Sequence, residues 1–157
     1  MPILEIPDRS HLEHWLEEGK VVFELCGQCE GLHIRALQAL DGAIDSRILV
    51  EHHGLLFSTG LEVRPMALLP LSADLGRLNM EFLNLKIFLD IVDDATPQLV
   101  IAGYLPLGAG LNREQFITFV TMTMESTRQL ATECLQLDYL FPESTQIRQP
   151  GTSSAIH

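Results

Sequence analysis

Six short segments of this chain alternate apolar and polar residues, and a turn-rich stretch separates the two members of each pair. Alternation with a period of two is typical of β-strands that bury one face. In chain order the segments are VVFELC and GLHIRA, AIDSRILVEHH and GLLFSTGLEVR, and LNLKIFLDIV and QLVIAGYLPL. Because short turns connect antiparallel strands, the pattern predicts three β-hairpins. It does not indicate a parallel nucleotide-binding sheet.

The second hairpin shows which side chains are expected to be buried. Ile44, Ile48 and Val50 on its first strand fall on one face, as do Phe57 and Leu61 on its second strand. These faces are predicted to meet the core. The residues HHG between the strands are predicted to form the turn.

Helices are predicted before and between the hairpins. Ser10 and Glu13 have the spacing of a capping box, so a first helix is expected to start there and to end at Gly19. The stretch PMALLPLSADLGRLN has leucines at helical spacing and predicts a second helix. Within it, Pro70 either introduces a kink or marks the true start.

A long third helix is predicted to begin at Asn112, which forms a capping-box pair with Gln115, and to continue to about Tyr139. Its apolar side is broad and includes Phe116 and Met122. Either core packing or the binding of a partner segment would explain that breadth. The order of elements predicts an α+β fold in which helices cover an antiparallel sheet.

Length and composition favour one domain. The chain has 157 residues, of which 46% are hydrophobic, enough for a single core. We expect the domain to span residues 1–141 and a disordered tail to span residues 142–157. The sequence has no apolar run of membrane-spanning length and no signal-peptide pattern, which predicts a cytoplasmic protein. Three cysteines do not suggest a disulfide framework.

The net charge of −11 constrains the choice of partners. Such a chain repels nucleic acid phosphates and anionic lipids. We therefore expect no direct nucleic acid binding and no membrane association, and we expect a protein partner whose identity and stoichiometry the sequence does not give. Solubility alone would also explain the charge.

The segment CGQCEGLH contains the candidate metal ligands Cys26, Cys29 and His33. Zinc sites use four ligands of thiolate, imidazole or carboxylate type, and no matching pair for the fourth position follows in the chain. A thioredoxin-like site would place its first cysteine at a helix N-terminus, whereas this pair lies in a predicted hairpin.

A structural turn is the alternative that we favour for CGQCEGLH. If Cys26 faces Gly31 across the turn, Glu24 faces His33 and gives the imidazole a carboxylate neighbour without any metal. Metal binding and thiol oxidation remain the other two interpretations. We assign no metal ligand, no cofactor and no catalytic residue.

Other polar groups are interpreted as turns. His52 and His53 are adjacent, and adjacent strand residues point to opposite faces, which hinders joint ligation of a metal. Asp41 and Asp45, and likewise Asp93 and Asp94, lack the spacing of a calcium-binding loop and are expected to lie in solvated turns. The sequence contains no P-loop lysine and no GxSxG serine, so we expect a protein that is not an enzyme.

A series of motifs gives this chain a family resemblance. FxLCxxCxxLH is followed by QALDGAID, LLFSTGLEVRPMALLPLSADL, LKIFLDIVDD and PQLV. Together they resemble the YbjN family over about residues 15–105. The family is described as sensory transduction regulators, and its pattern includes Cys26, Cys29 and His33 without giving them a role.

The resemblance implies a negative regulator of exopolysaccharide production, virulence traits and motility. It also implies a fold similar to class I type III secretion chaperones, with elements in the order α-β-α-β-α. A chaperone-like binder of secreted proteins and a cysteine-based metal or redox sensor are the alternative functions. The extra early strand and the lack of a second apolar patch depart from the chaperone pattern.

Overall fold

A computed structural model describes residues 4–92 and 95–141 of the chain. As predicted, it is a single α+β domain with an antiparallel sheet. The helices are α1 (Arg9–Glu18), α2 (Arg35–Gln38), α3 (Leu68–Glu81) and α4 (Arg113–Gln136). The strands are β1 (Phe23–Leu25), β2 (Leu32–Ile34), β3 (Ala43–Val50), β4 (Gly54–Glu62), β5 (Lys86–Asp90) and β6 (Gln98–Pro106).

The six strands form one sheet in the order β1-β2-β3-β4-β6-β5. The three predicted hairpins, β1–β2, β3–β4 and β5–β6, are all present and antiparallel. In the first hairpin Glu24 pairs with His33, which is the predicted register. The sheet is completed where β2 pairs with β3 and β4 pairs with β6.

Helices cover one face of the sheet and form two adjoining cores. One core joins β4, β5 and β6 to α3 and to the C-terminal half of α4. The other joins β2, β3 and β4 to α1 and to the N-terminal half of α4. Phe116 and Val120 of α4 are fully buried, which supports core packing as the reason for its broad apolar side, although Met122 is 55% exposed.

The burial of β3 differs from the prediction. Ile48 is buried, but Ile44 and Val50 are about half exposed. Ala43 pairs with Leu61 while Asp45 pairs with Gly60, so Ile44 is an extra residue in the ladder. Such a bulge reverses the alternation, and it turns Ile44 away from the core. Val50 is the last residue of the strand, next to the hairpin turn.

Two helix predictions need correction. The cap of α1 is Asp8, whose carboxylate accepts a hydrogen bond from the His11 amide at 3.0 Å, and Ser10 lies within the first turn. Gly19 ends this helix as predicted. The predicted Asn112–Gln115 capping box is confirmed, but α4 ends at Gln136.

The second helix follows a short 3-10 turn, Pro65–Ala67. Pro70 lies in the first turn of α3, where its missing N–H removes no intrahelical bond, so it is close to the start of the helix and produces no kink there. The four-residue helix α2 was not predicted, because RALQ is too short to show a helical period.

The side chain of Asn79 on α3 fixes the edge strand β5. Its Oδ1 accepts from the Ile87 amide at 2.9 Å, and its Nδ2 donates to the Ile87 carbonyl at 3.0 Å. Both backbone groups lie on the free edge of the sheet. The asparagine therefore satisfies them and blocks pairing with another strand.

Two predictions fall partly or wholly outside this description. The tail expected at residues 142–157, and Asp93 and Asp94, which are expected to lie in a solvated turn, are outside the described residues. The domain boundary at residue 141 stays a prediction. Within the described part of the chain, none of the helices has the length and hydrophobicity that crossing a membrane requires.

Candidate thiol–imidazole site

The structure brings together Cys26, Cys29 and His33, which we call the thiol–imidazole site. The two sulfur atoms lie 2.9 Å apart. His33 Nε2 lies 3.1 Å from the sulfur of Cys29 and 3.3 Å from that of Cys26. Among the described residues, this is the group of Cys, His, Asp and Glu side chains whose geometry could hold a metal ion.

The first hairpin positions these groups. Both cysteines belong to the connection between β1 and β2, and they are partly buried. His33 is the central residue of β2, between the buried Leu32 and Ile34. Because successive strand residues point to opposite faces, the imidazole lies on the face away from the core. Its side chain is nevertheless only 12% exposed, because the cysteine loop covers it.

Asp45 of β3 holds the other side of the imidazole. Its Oδ1 lies 2.8 Å from His33 Nδ1 and also accepts hydrogen bonds from the Gln38 amide at 3.0 Å and the Ser46 backbone N–H at 2.8 Å. Arg47 lies 3.6 Å from the other carboxylate oxygen. Three separate elements, β2, α2 and β3, therefore determine the orientation of the ring.

Two sequence predictions about this carboxylate are corrected. His33 does have a carboxylate partner, but it is Asp45 and not Glu24, which lies 3.8 Å from Arg35. Asp45 does not lie in a solvated turn; it is on a strand and is about one-third exposed. Asp45 lies on the same face as Arg47, opposite the buried Ser46 and Ile48, as the alternation of β3 predicts. What the sequence does not reveal is that β2 pairs with β3 and brings this face beside His33.

Hydrogen bonds change the ionisation of the site. A bond with Cys26, reinforced by the Gly31 amide and by His33, lowers the pKa of the Cys29 thiol to about 6. Burial alone would lower the pKa of His33, but its bonds with Cys26, Cys29 and Asp45 outweigh that effect and raise it to about 9. At neutral pH the site therefore contains a thiolate beside an imidazolium.

Asp45 remains ionised next to this pair. Burial opposes its charge, but the hydrogen bonds from His33 and Gln38 outweigh burial and lower the pKa of Asp45. An ionised Asp45 accepts a hydrogen bond from the Nδ1–H of His33, so the other ring nitrogen, Nε2, points at the sulfurs. Gln38 Nε2 also lies 3.2 Å from His33 Nδ1, but a protonated Nδ1 cannot accept a hydrogen bond. The Gln38 amide therefore donates to Asp45.

The other candidate residues lie elsewhere. His52 and His53 form the turn after β3, with ring centroids 4.2 Å apart, and do not join the thiol–imidazole site. Cys134 lies on the buried side of α4, and burial raises its pKa to about 12. A buried, protonated thiol is chemically inert, so the three cysteines fall into two classes.

Fold and site together define a small α+β protein that presents a thiolate, an imidazole and an orienting carboxylate on the sheet face opposite its helices. The pattern of the YbjN family, described as “Putative bacterial sensory transduction regulator”, matches residues 8–136. The chain belongs to this family.

Similar proteins agree with this assignment. “Uncharacterized protein YbjN” of Escherichia coli strain K12 is 37% identical over 142 residues, which cover 90% of each chain. The protein of the same description from Shigella flexneri matches equally well. A solved structure described as “Crystal structure of YbjN, a putative transcription regulator from E. coli” superposes with a TM-score of 0.85 at 36% identity. That match covers 89% of this chain and 99% of the other.

Proposed function

We propose that this chain is a non-enzymatic cytoplasmic regulator that acts through protein contacts and receives its signal at the thiol–imidazole site. The observation that carries the proposal is the thiolate of Cys29 beside His33, in a chain whose family is described as sensory transduction regulators. Low-pKa thiolates react with oxidants and bind soft metal ions. Both are signals that a cytoplasmic regulator can detect.

Charge supports action through proteins. The net charge of −11 opposes binding to nucleic acid phosphates, so regulation of gene expression by this chain would pass through another protein. The family resemblance supports the finer proposal that the regulated outputs are exopolysaccharide production, virulence traits and motility, and that the chain reduces them.

Cross-linking in the producing cell tests the protein contact. The tagged wild-type chain is cross-linked in vivo and purified, and one protein is expected at a fixed ratio to it. The same experiment with Cys26→Ser/Cys29→Ser is expected to change the amount of that protein, whereas Cys134→Ala is expected to leave it unchanged. Repeated recovery of no partner from cells that still show regulation would contradict the proposal.

Chaperone-like binding is the second candidate function. Strand β1 is at an edge of the sheet, and two apolar side chains there are exposed: Val22, just before the strand, at 59%, and Leu25, its last residue, at 53%. An extended client segment could add to such an edge. Sedimentation velocity provides the test, because secretion chaperones of this class usually dimerise. A strict monomer that retains no segment of a secreted protein would reject this candidate.

A further inference from the structure

We propose that Cys26, Cys29 and His33 bind one Zn²⁺ ion, with Asp45 as the outer carboxylate that orients the histidine and with water at the fourth position. This inference rests on the proposed function, since it names the ligand of the same site. The donor types are those that zinc selects, namely two sulfurs and one imidazole nitrogen.

The arrangement around His33 is the strongest argument for a metal. Histidines that bind zinc through one ring nitrogen almost always donate the other N–H to a carboxylate, a backbone carbonyl or water. Here Asp45 occupies that place at 2.8 Å, and it is itself fixed by Gln38 and by the Ser46 amide. A turn that only reverses the chain does not need an imidazole held on both sides.

The distances show how the site must adjust. Two thiolates on one tetrahedral zinc lie about 3.8 Å apart, because each Zn–S bond is about 2.3 Å long. The sulfurs here are 2.9 Å apart, so the cysteine loop must open by roughly 1 Å. Gly27, which lies between the two cysteines, has open space beside its Cα, so the loop has room to move on that side.

The coordination number distinguishes this site from a structural zinc site. Within residues 4–92 and 95–141, no fourth Cys, His, Asp or Glu joins the three ligands. Asp45 is on the far side of the ring, at Nδ1, and is therefore not the fourth ligand. A zinc ion with three protein ligands keeps one exchangeable position, which permits release or further ligation.

Zinc titration of the purified, reduced, metal-free full-length chain tests the inference. Zn²⁺ is added in competition with a chromophoric chelator, and one ion per chain is expected. Cys29→Ser is expected to abolish this binding, and Asp45→Asn to weaken it about 10- to 100-fold. Cys134→Ala and Asp41→Asn, which leave the site intact, are the matched controls. With Co²⁺, the thiolate charge-transfer band is expected in the wild type and lost in Cys29→Ser.

Three outcomes would overturn the inference: no binding in the competition assay, equal binding by Cys29→Ser, or loss of binding in His52→Ala/His53→Ala alone. Regulation in cells separates this inference from the proposed function. Loss of regulation in Cys26→Ser/Cys29→Ser without zinc binding by the wild type would reject zinc and leave the signal site standing. Zinc binding by the wild type together with unchanged regulation by Cys26→Ser/Cys29→Ser would support the zinc site and reject its role as the signal site.

Discussion

Asp45 accepts a hydrogen bond from the Nδ1–H of His33 at 2.8 Å, and this contact joins β3 to β2. The sulfurs of Cys26 and Cys29 contact the other ring nitrogen of the same histidine. The carboxylate fixes which nitrogen faces the sulfurs. It thereby gives the hairpin loop a defined arrangement of protons, with Nε2 facing the sulfurs of Cys26 and Cys29.

Cys29 is expected to be the most reactive cysteine of the metal-free chain. Its pKa of about 6 makes it a thiolate at pH 7, so its rate of alkylation should be near maximal there and should fall as the pH drops through 6. Cys26→Ala removes the largest cause of the shift and is expected to move the profile to higher pH.

Mass spectrometry after timed iodoacetamide treatment gives the rate at each cysteine. Cys134 is the internal control, since it is buried and its pKa is raised to about 12; it is expected to react only on unfolding. A Cys29 rate that still rises between pH 8 and pH 9 would show an ordinary thiol.

Asn79→Ala is expected to lower the free energy of unfolding by about 1–3 kcal/mol, because it leaves the Ile87 amide and carbonyl at the sheet edge without their partner. Urea denaturation measures the change. Met80→Ala is the control, since Met80 is the next residue and is 78% exposed. Equal stability of the two variants would mean that water replaces the asparagine at no cost.

Ser46 and Thr59 form a buried hydroxyl pair, 2.9 Å apart, between β3 and β4. Ser46→Ala or Thr59→Val alone is expected to cost about 1–3 kcal/mol, because each leaves a buried hydroxyl without its partner. The double variant is expected to cost less than the sum of the two by at least about 0.5 kcal/mol. Additive costs in urea denaturation would show that the two hydroxyls do not depend on each other.

Arg77 on α3 pairs with Asp74 of the same helix at 2.7 Å and with Glu133 of α4 at 3.1 Å. Its hydrogen bond lowers the pKa of Asp74 below the unfolded value, so the stabilisation is complete above the unfolded pKa of about 3.8 and disappears as the pH falls through the lower folded pKa. Arg77→Met is therefore expected to lower the melting temperature at pH 7 and to have much less effect near pH 2. A difference that does not depend on pH would point to packing by the arginine stem.

Strand pairing was readable from the sequence because each hairpin combines alternation with a local turn. The register that places Glu24 opposite His33 followed from the turn alone, and the Asn112–Gln115 cap followed from its spacing. These features depend on residues close together in the chain. The cap of α1 was misplaced because Ser10 and Glu13 fit the same spacing as the true pair, Asp8 and His11.

Only part of the site could be predicted from the sequence, because only part of it consists of residues close together in the chain. Cys26, Cys29 and His33 lie within eight residues, and their spacing indicated a possible metal site. Asp45 is twelve residues beyond His33 on a different strand, and it reaches the imidazole only because β2 pairs with β3. A single aspartate after a turn resembles a solvated residue until β2 and β3 are paired.

The most direct measurement of the central claim is exopolysaccharide output in cells that lack their own copy of this gene and carry Cys26→Ser/Cys29→Ser, compared with wild type and Cys134→Ala at equal protein levels. We predict that wild type and Cys134→Ala restrain production and that the double variant does not, although it is present and folded. Restraint by the double variant equal to that of the wild type would contradict a signal role for the thiol–imidazole site.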